Sequence, residues 1–98
     1  MSTIEIASFR TATGVTPAQM KQAWQASQTF ATVQPGYVTR RLMTDGNGNW
    51  IDLVEWVDMD AAHAAKAAFD PETYPDLLGL IGAVDMASLT MQYMQTVA

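Results

Sequence analysis

The sequence contains no cysteine and a single histidine, His63. The first absence removes disulfides, thiolate metal sites and thiol nucleophiles together. The second removes zinc sites built on two or three imidazoles, so no metal centre is expected. Basic residues are also scarce: five Lys and Arg stand against ten Asp and Glu, for a net charge of −5, and they do not cluster. Phosphate backbones are bound through a concentrated basic footprint, so nucleic acid is not an expected partner. Long apolar runs are missing too. The longest, Leu77 to Val84, holds eight residues, two of them glycine, whereas a membrane-spanning helix needs roughly 20. The segment Met1-Ser2-Thr3-Ile4-Glu5 has no basic stretch followed by an apolar one and does not read as a secretory signal. A soluble, cytoplasmic protein with no membrane partner is the expectation. There is no GxGxxG or GxSxG pattern, and Gly46 and Gly48 sit in a turn signal with no helix after it, so no phosphate loop or serine elbow is expected.

What is present suffices for one core. The 98 residues are 49% hydrophobic and 15% charged, the balance of a single compact domain spanning 1–98. Residues 3–10 alternate as a strand. Thr16-Pro17-Ala18-Gln19 is a helix start: the Thr16 hydroxyl can accept from the Gln19 amide, Pro17 suits the first helical position, and Gln19 can reach back. Met20, Trp24, Ser27 and Ala31 continue at helical spacing until Pro35-Gly36 ends the helix. Tyr37 to Thr44 and Trp50 to Val57 read as two strands of a hairpin around the turn Asp45-Gly46-Asn47-Gly48-Asn49. Asp58-Met59-Asp60 caps an alanine-rich helix through Phe69, and Asp70-Pro71 stops it. Residues 72–83 read as a short broken helical segment and a candidate lid, because Pro75, Gly79 and Gly82 weaken regular helix there. Met86 to Thr96 alternates as a last strand. The order β-α-β-β-α-β predicts an α+β, ferredoxin-like fold: a four-stranded antiparallel sheet with the helices on one face.

The period-2 rule sorts the strand residues into two faces. The more aliphatic set, with Ile4, Ile6 and Ser8, Val38, Arg40 and Leu42, Ile51, Leu53, Glu55 and Val57, and Leu89, Met91 and Tyr93, is assigned to the helix-covered side. The opposite set then carries Phe9, Tyr37, Met43, Trp50, Val54, Trp56, Met86 and Met94. Apolar area of that extent predicts a homodimer that packs sheet on sheet.

Within the helix-facing set, Glu55 is the notable polar exception, since a carboxylate beneath helices must be paired, protonated or beside a cavity. Arg40 on the hairpin partner is its expected ion-pair mate. The functional reading makes Glu55 the acceptor of a proton from a phenolic substrate and Arg40 the stabiliser of the resulting oxyanion. His63 is the one side chain that titrates near neutrality unperturbed, and is a candidate base or a solvated histidine. Trp56 and Tyr93, with Ser8, are candidate walls for a flat aromatic ligand.

The element order resembles a known family, as do Pro35-Gly36-Tyr37 at the start of the second strand, the Asp45-Gly46-Asn47-Gly48 turn, and Trp50-Ile51-Asp52-Leu53-Val54-Glu55-Trp56 before an alanine-rich helix. The chain looks like a member of the dimeric α+β barrel superfamily, specifically its small antibiotic biosynthesis monooxygenase (ABM) type. That resemblance implies a homodimer with a small-molecule cleft between helices and sheet. It also implies a cofactor-independent monooxygenase acting on small aromatic or quinol-type molecules, with a non-catalytic ligand-binding or structural homodimer of the same fold as the alternative. Haem-degrading relatives use an asparagine–tryptophan–histidine group. Trp56 and His63 are present here, but Asn47 and Asn49 fall in the turn, so no cofactor is expected.

Overall fold

The computed structural model describes residues 1–98. Strand β1 (Thr3–Thr11) leads to helix α1 (Pro17–Ala31), the hairpin β2 (Tyr37–Thr44) and β3 (Asn49–Trp56), and helix α2 (Met59–Ala68). A 3-10 turn (Pro75–Leu77) then runs into a short helix α3 (Leu78–Ala83) and the last strand β4 (Val84–Gln95). The strands form one antiparallel sheet in the order β2-β3-β1-β4, with the helices on one face. The broken segment thus resolves into a turn and a third helix, and β4 begins two residues earlier than the alternation suggests. No helix is long and apolar enough to cross a membrane.

The local signals act as their chemistry dictates. Thr16 adopts extended backbone, its hydroxyl accepts from the Gln19 amide at 3.2 Å, and the Gln19 side chain accepts from the Thr16 amide at 2.9 Å. Two of the unpaired amide donors at the start of α1 are satisfied by this reciprocal pair. Asp58 caps α2 by accepting from the Ala61 amide at 2.8 Å. In the hairpin turn Asp45 Oδ1 accepts from the Asn47 amide at 2.7 Å, and Gly46 and Gly48 both take positive φ. Those hydrogen bonds, the Asn49 side chain's foremost, hold the Asp45 carboxyl below its usual range.

The two faces of β1 and β3 are the reverse of the sequence-based assignment. Phe9, Trp50, Val54 and Trp56 are buried beneath the helices, so Glu5 and Asp52 face the helices with them. Ile4, Ile6, Ser8, Ile51, Leu53 and Glu55 occupy the open face, and Ile51 remains 36% exposed. Counting aliphatic residues misleads here because aromatic rings bury far more area each than isoleucine or leucine. Two tryptophans and a phenylalanine outweigh the branched aliphatics opposite. On β2 a bulge between Tyr37 and Thr39 lets Tyr37 pack against Trp56 while Arg40 and Leu42 also face the helices.

The core is divided. One group joins Phe9, Met20, Trp50, Leu80 and Ala83; a second joins Val54, Trp56, Ala62 and Ala65; a third joins Phe30, Ala31 and Leu77. These groups surround a space between helices and sheet instead of merging across it.

Candidate functional site

That space is a cavity of about 350 Å³, lined by residues of all three core groups. Its size falls at the small end of ligand pockets. The floor is the helix-facing side of the sheet, with Glu5, Ala7, Asp52, Val54 and Trp56, and one wall is the turn and helix of residues 75–83, through Leu77, Leu80 and Ile81. The candidate lid is therefore a cavity wall, seated on α1 where Gly79 faces Ala23. Of the 20 lining residues 15 are hydrophobic; the polar ones are Glu5, Ser27, Arg40, Asp52 and Lys66. Such a surface selects ligands by apolar shape and orients them through a few polar atoms.

The register fixes where those polar atoms lie. Arg40 pairs with Val54, Val54 with Glu5, and Glu5 with Tyr93, so one row across all four strands reads cation, aliphatic, carboxyl, phenol. Asp52 sits one step along β3 from Val54 on the same face. Arg40 binds it twice, through Nε to Oδ1 at 3.0 Å and through Nη2 to Oδ2 at 2.7 Å. Arg40 Nη1 donates to Ser27 Oγ at 2.8 Å and to Gln28 Oε1 at 3.1 Å. The guanidinium also stacks over Trp24, whose indole N–H donates to Asp52 Oδ1 at 3.1 Å. Four of the five N–H donors of Arg40 are engaged. It is a fixed post at one end of the cavity, with one N–H that has no protein partner.

Glu5 has a sparser setting. Its Oε1 accepts from the Trp56 indole N–H at 2.9 Å, and no cation pairs with it. Burial pushes its carboxyl above the ordinary range, and the nearby Asp52 charge adds to that. The Trp56 hydrogen bond and the charges of Arg40 and Lys66 pull the other way. Beside it the Tyr93 hydroxyl is buried without a partner, as is Thr3 Oγ1. Burial, and then the charge of Glu5, raise the Tyr93 hydroxyl as well.

The residues singled out from the sequence separate into three groups. Arg40 and Trp56 line the cavity. Tyr93 is on the helix-covered side next to Glu5, with the His63 ring edge-on to it at 5.4 Å, but His63 is exposed on α2 and neither lines the cavity. Glu55 and Ser8 lie on the opposite face, because strand alternation sends each away from its buried neighbours: Val54 and Trp56 for Glu55, Phe9 for Ser8. The expected Glu55–Arg40 pair does not form; Asp52 takes that place. Glu5 is the candidate that the sequence reading passed over. The two tryptophans spaced at Trp50 and Trp56 were the signal that could have set β3, and through its pairing β1, the right way round.

No protein-family model matches the chain, and no curated protein matches it by sequence. Solved structures do match it in shape. SnoaB of Streptomyces nogalater, described as a cofactor-independent oxygenase, superposes with a TM-score of 0.76 at 18% identity, covering 99% of this chain and 94% of that one. A monooxygenase of Streptomyces coelicolor in complex with nanaomycin D gives a TM-score of 0.70 at 14% identity, over 99% and 88% of the two chains. The chain shares the ferredoxin-like α+β fold of these two oxygenases. A dimeric ferredoxin-like protein of unknown function from Thermobifida fusca shares it too, with a TM-score of 0.69 at 19% identity over 98% and 92%. The fold thus hosts oxygenases and a dimer of unknown function, and the site must carry the functional argument.

Proposed function

We propose that the chain is a cofactor-independent monooxygenase of the ABM type, working as a homodimer on a small, uncharged aromatic or quinol-type molecule held in the cavity under its helices. The observation that carries this reading is the cavity itself, an apolar space of about 350 Å³ that interrupts the core of a fold shared with cofactor-independent oxygenases. A purely structural module gains nothing from such a void, since unfilled core space costs stability. The charge balance favours an uncharged ligand. Asp52 neutralises Arg40, so that pair presents no net charge to a ligand. In this reading the remaining Arg40 donor orients the ring oxygen and Trp56 packs against the ring, whereas Glu55 and Ser8 have no part in the cavity. Tyr93 packs beside Glu5 outside the cavity, and His63 is a solvated neighbour of Tyr93.

The homodimer rests on the open face. Rows across it place Ile4 beside Met94, Ile6 beside Leu53, and Ile51 beside Met43, with Thr39, Arg41, Glu55 and Gln92 interspersed. A sheet face with that aliphatic centre and mixed polar surround suits a second copy better than water.

Naphthoquinol is the test substrate. Naphthoquinol plus dioxygen gives hydroxynaphthoquinone plus water, with both reducing electrons taken from the substrate. Saturable oxygen uptake above autoxidation, with that product, is the expected result. Binding without oxygen uptake would leave a ligand-binding homodimer, and absence of binding would remove the reading.

A further inference from the structure

Three features outside the roles assigned above invite attention: the shallow groove between α1 and β2, the His63–Tyr93 contact on α2, and the Glu5 carboxyl on the cavity floor. The groove, lined by Lys21, Trp24 and Trp50 among others, has nothing to specify an occupant. The His63–Tyr93 contact lies outside the cavity. Glu5 carries an inference.

We propose that Glu5 Oε2 is the proton acceptor of this cavity, taking the proton from a hydroxyl on an uncharged aromatic ligand, with Trp56 as the positioning residue that holds the carboxyl through Oε1. This rests on the reading of the cavity as the ligand site. Elimination among the lining polar groups supports it. Asp52 is consumed by Arg40 and the Trp24 N–H. Arg40 and Lys66 are cations at neutral pH and have no lone pair to offer. The Ser27 hydroxyl donates to the Trp24 carbonyl at 2.6 Å and accepts from Arg40. Only Glu5 keeps an oxygen, Oε2, without a protein partner.

The setting of Glu5 is also the wrong one for a structural carboxylate. A buried carboxyl kept for stability is paired with a cation or with several N–H donors. Glu5 has one indole N–H and sits near the Asp52 charge. Two features favour a carboxyl that accepts a proton readily: burial, with aliphatic Val54 beside it, and the Asp52 charge, which repels the ionised form. The Trp56 hydrogen bond and the charges of Arg40 and Lys66 oppose this, and burial outweighs them. In the transfer, the ligand O–H bond breaks, its electron pair stays on the ring oxygen, and the proton forms the O–H bond of the Glu5 carboxylic acid. The charge moves from carboxyl to ring, leaving the cavity's net charge unchanged. An ionised ring oxygen makes the ring a better electron donor to dioxygen, which joins the step to the proposed chemistry.

The test uses umbelliferone, a flat uncharged phenol whose neutral and ionised forms have separate excitation bands. It is added without oxygen, at a pH where the free dye is mainly neutral. On the native protein the bound dye is expected to show the ionised band, together with the infrared band of a newly protonated carboxyl. Glu5→Gln keeps an acceptor for the Trp56 N–H and is read at saturating dye, where the ionised-to-neutral ratio of the bound dye is expected to fall about tenfold and the infrared band to be missing. Glu5→Asp, which keeps a carboxyl in a shortened position, should give an intermediate ratio and guards against a Gln variant that misfolds. The sign of the change decides the role. If Glu5 acted only as a nearby negative charge, its removal would raise the ionised fraction, and that outcome, or an unchanged ratio, overturns the proposal while leaving the ligand cavity intact. Failure of the native protein to bind the dye, with naphthoquinol also unbound, removes the cavity reading and this proposal with it.

Discussion

Arg40 and Asp52 are held together by two hydrogen bonds, of 2.7 and 3.0 Å, across β2 and β3 at the edge of the cavity. Their side chains are only 5% and 13% exposed, so neither charge can fall back on water if the other is lost. Replacing Asp52 with alanine strands the guanidinium beneath α1 and frees the Trp24 indole N–H as well. We expect a loss of about 3–5 kcal/mol, the usual consequence of breaking a buried pair. Arg40→Met should cost a similar amount by leaving the Asp52 carboxylate unpaired. The double variant Arg40→Met/Asp52→Leu should recover much of the loss, because no isolated charge remains. Urea unfolding at a constant slope measures all three. Simple additivity in the double variant would show that the pair is not the unit argued for here.

The Arg40 finding also shows where sequence reasoning stops. A charge on β2 beneath helices was legible, and so was its need for a carboxylate on β3. Which carboxylate it meets depends on the phase of β3, and a shift of one residue exchanges Asp52 for Glu55. Element order, the Thr16 cap and the hairpin turn could all be read from local chemistry, because each is decided by neighbours in the chain. The phase of β1 and β3 was decided by long-range competition between aromatic and aliphatic area. That competition moved Glu5 into the cavity and Glu55 out of it. The cavity has no signal in any single stretch of the chain, and only the family resemblance implied a cleft there; it is the space left where Phe9, Trp56 and Phe30 anchor separate groups.

Glu5 ties stability to pH in a direction opposite to most carboxylates. Its folded-state carboxyl is raised, so the folded form prefers the protonated acid. Its stabilising contribution is complete below the carboxyl's unfolded range and is lost as pH rises through the folded value. Glu5→Gln should therefore be more stable than the native chain at neutral pH, with the gap closing as the pH is lowered. Trp56→Phe removes the hydrogen bond that holds Glu5 down, so the native-like decline should shift to higher pH in that variant. Thermal midpoints across a pH series check both; a gap that widens toward acid would refute the sign.

The open face makes a prediction about assembly. Leu53 and Ile6 are paired neighbours on β3 and β1, near the centre of the aliphatic patch and away from the cavity. Leu53→Arg places a charge where a second copy would press against the sheet, and no acidic residue lies directly opposite it in the Arg41–Leu53–Ile6–Gln92 row. Sedimentation should then show the native chain at twice the mass of the variant, which should run as the 10.7 kDa chain. If both run at the same mass, this face is not the interface.

Gly36 leaves no room for a side chain beneath α2, and comparison with Gly46 isolates why. Both have positive φ, +83° and +79°, so alanine imposes a similar backbone penalty at each. The surroundings differ. A Cβ on Gly36 would lie 2.6 Å from the Ala61 Cβ on α2 and 2.8 Å from the Val57 side chain, whereas one on Gly46 would meet nothing within 4 Å. Gly46→Ala should therefore cost only the backbone term, about 1 kcal/mol. Gly36→Ala must also push α2 outward or bend the start of β2, and should cost about 2 kcal/mol beyond that. Because α2 supplies Ala65 and Lys66 to the cavity, its displacement should weaken umbelliferone binding in Gly36→Ala and leave it unchanged in Gly46→Ala. Equal unfolding midpoints and equal affinities in the two variants would mean that α2 can move freely over the sheet, and that the cavity wall it forms is not set by this contact.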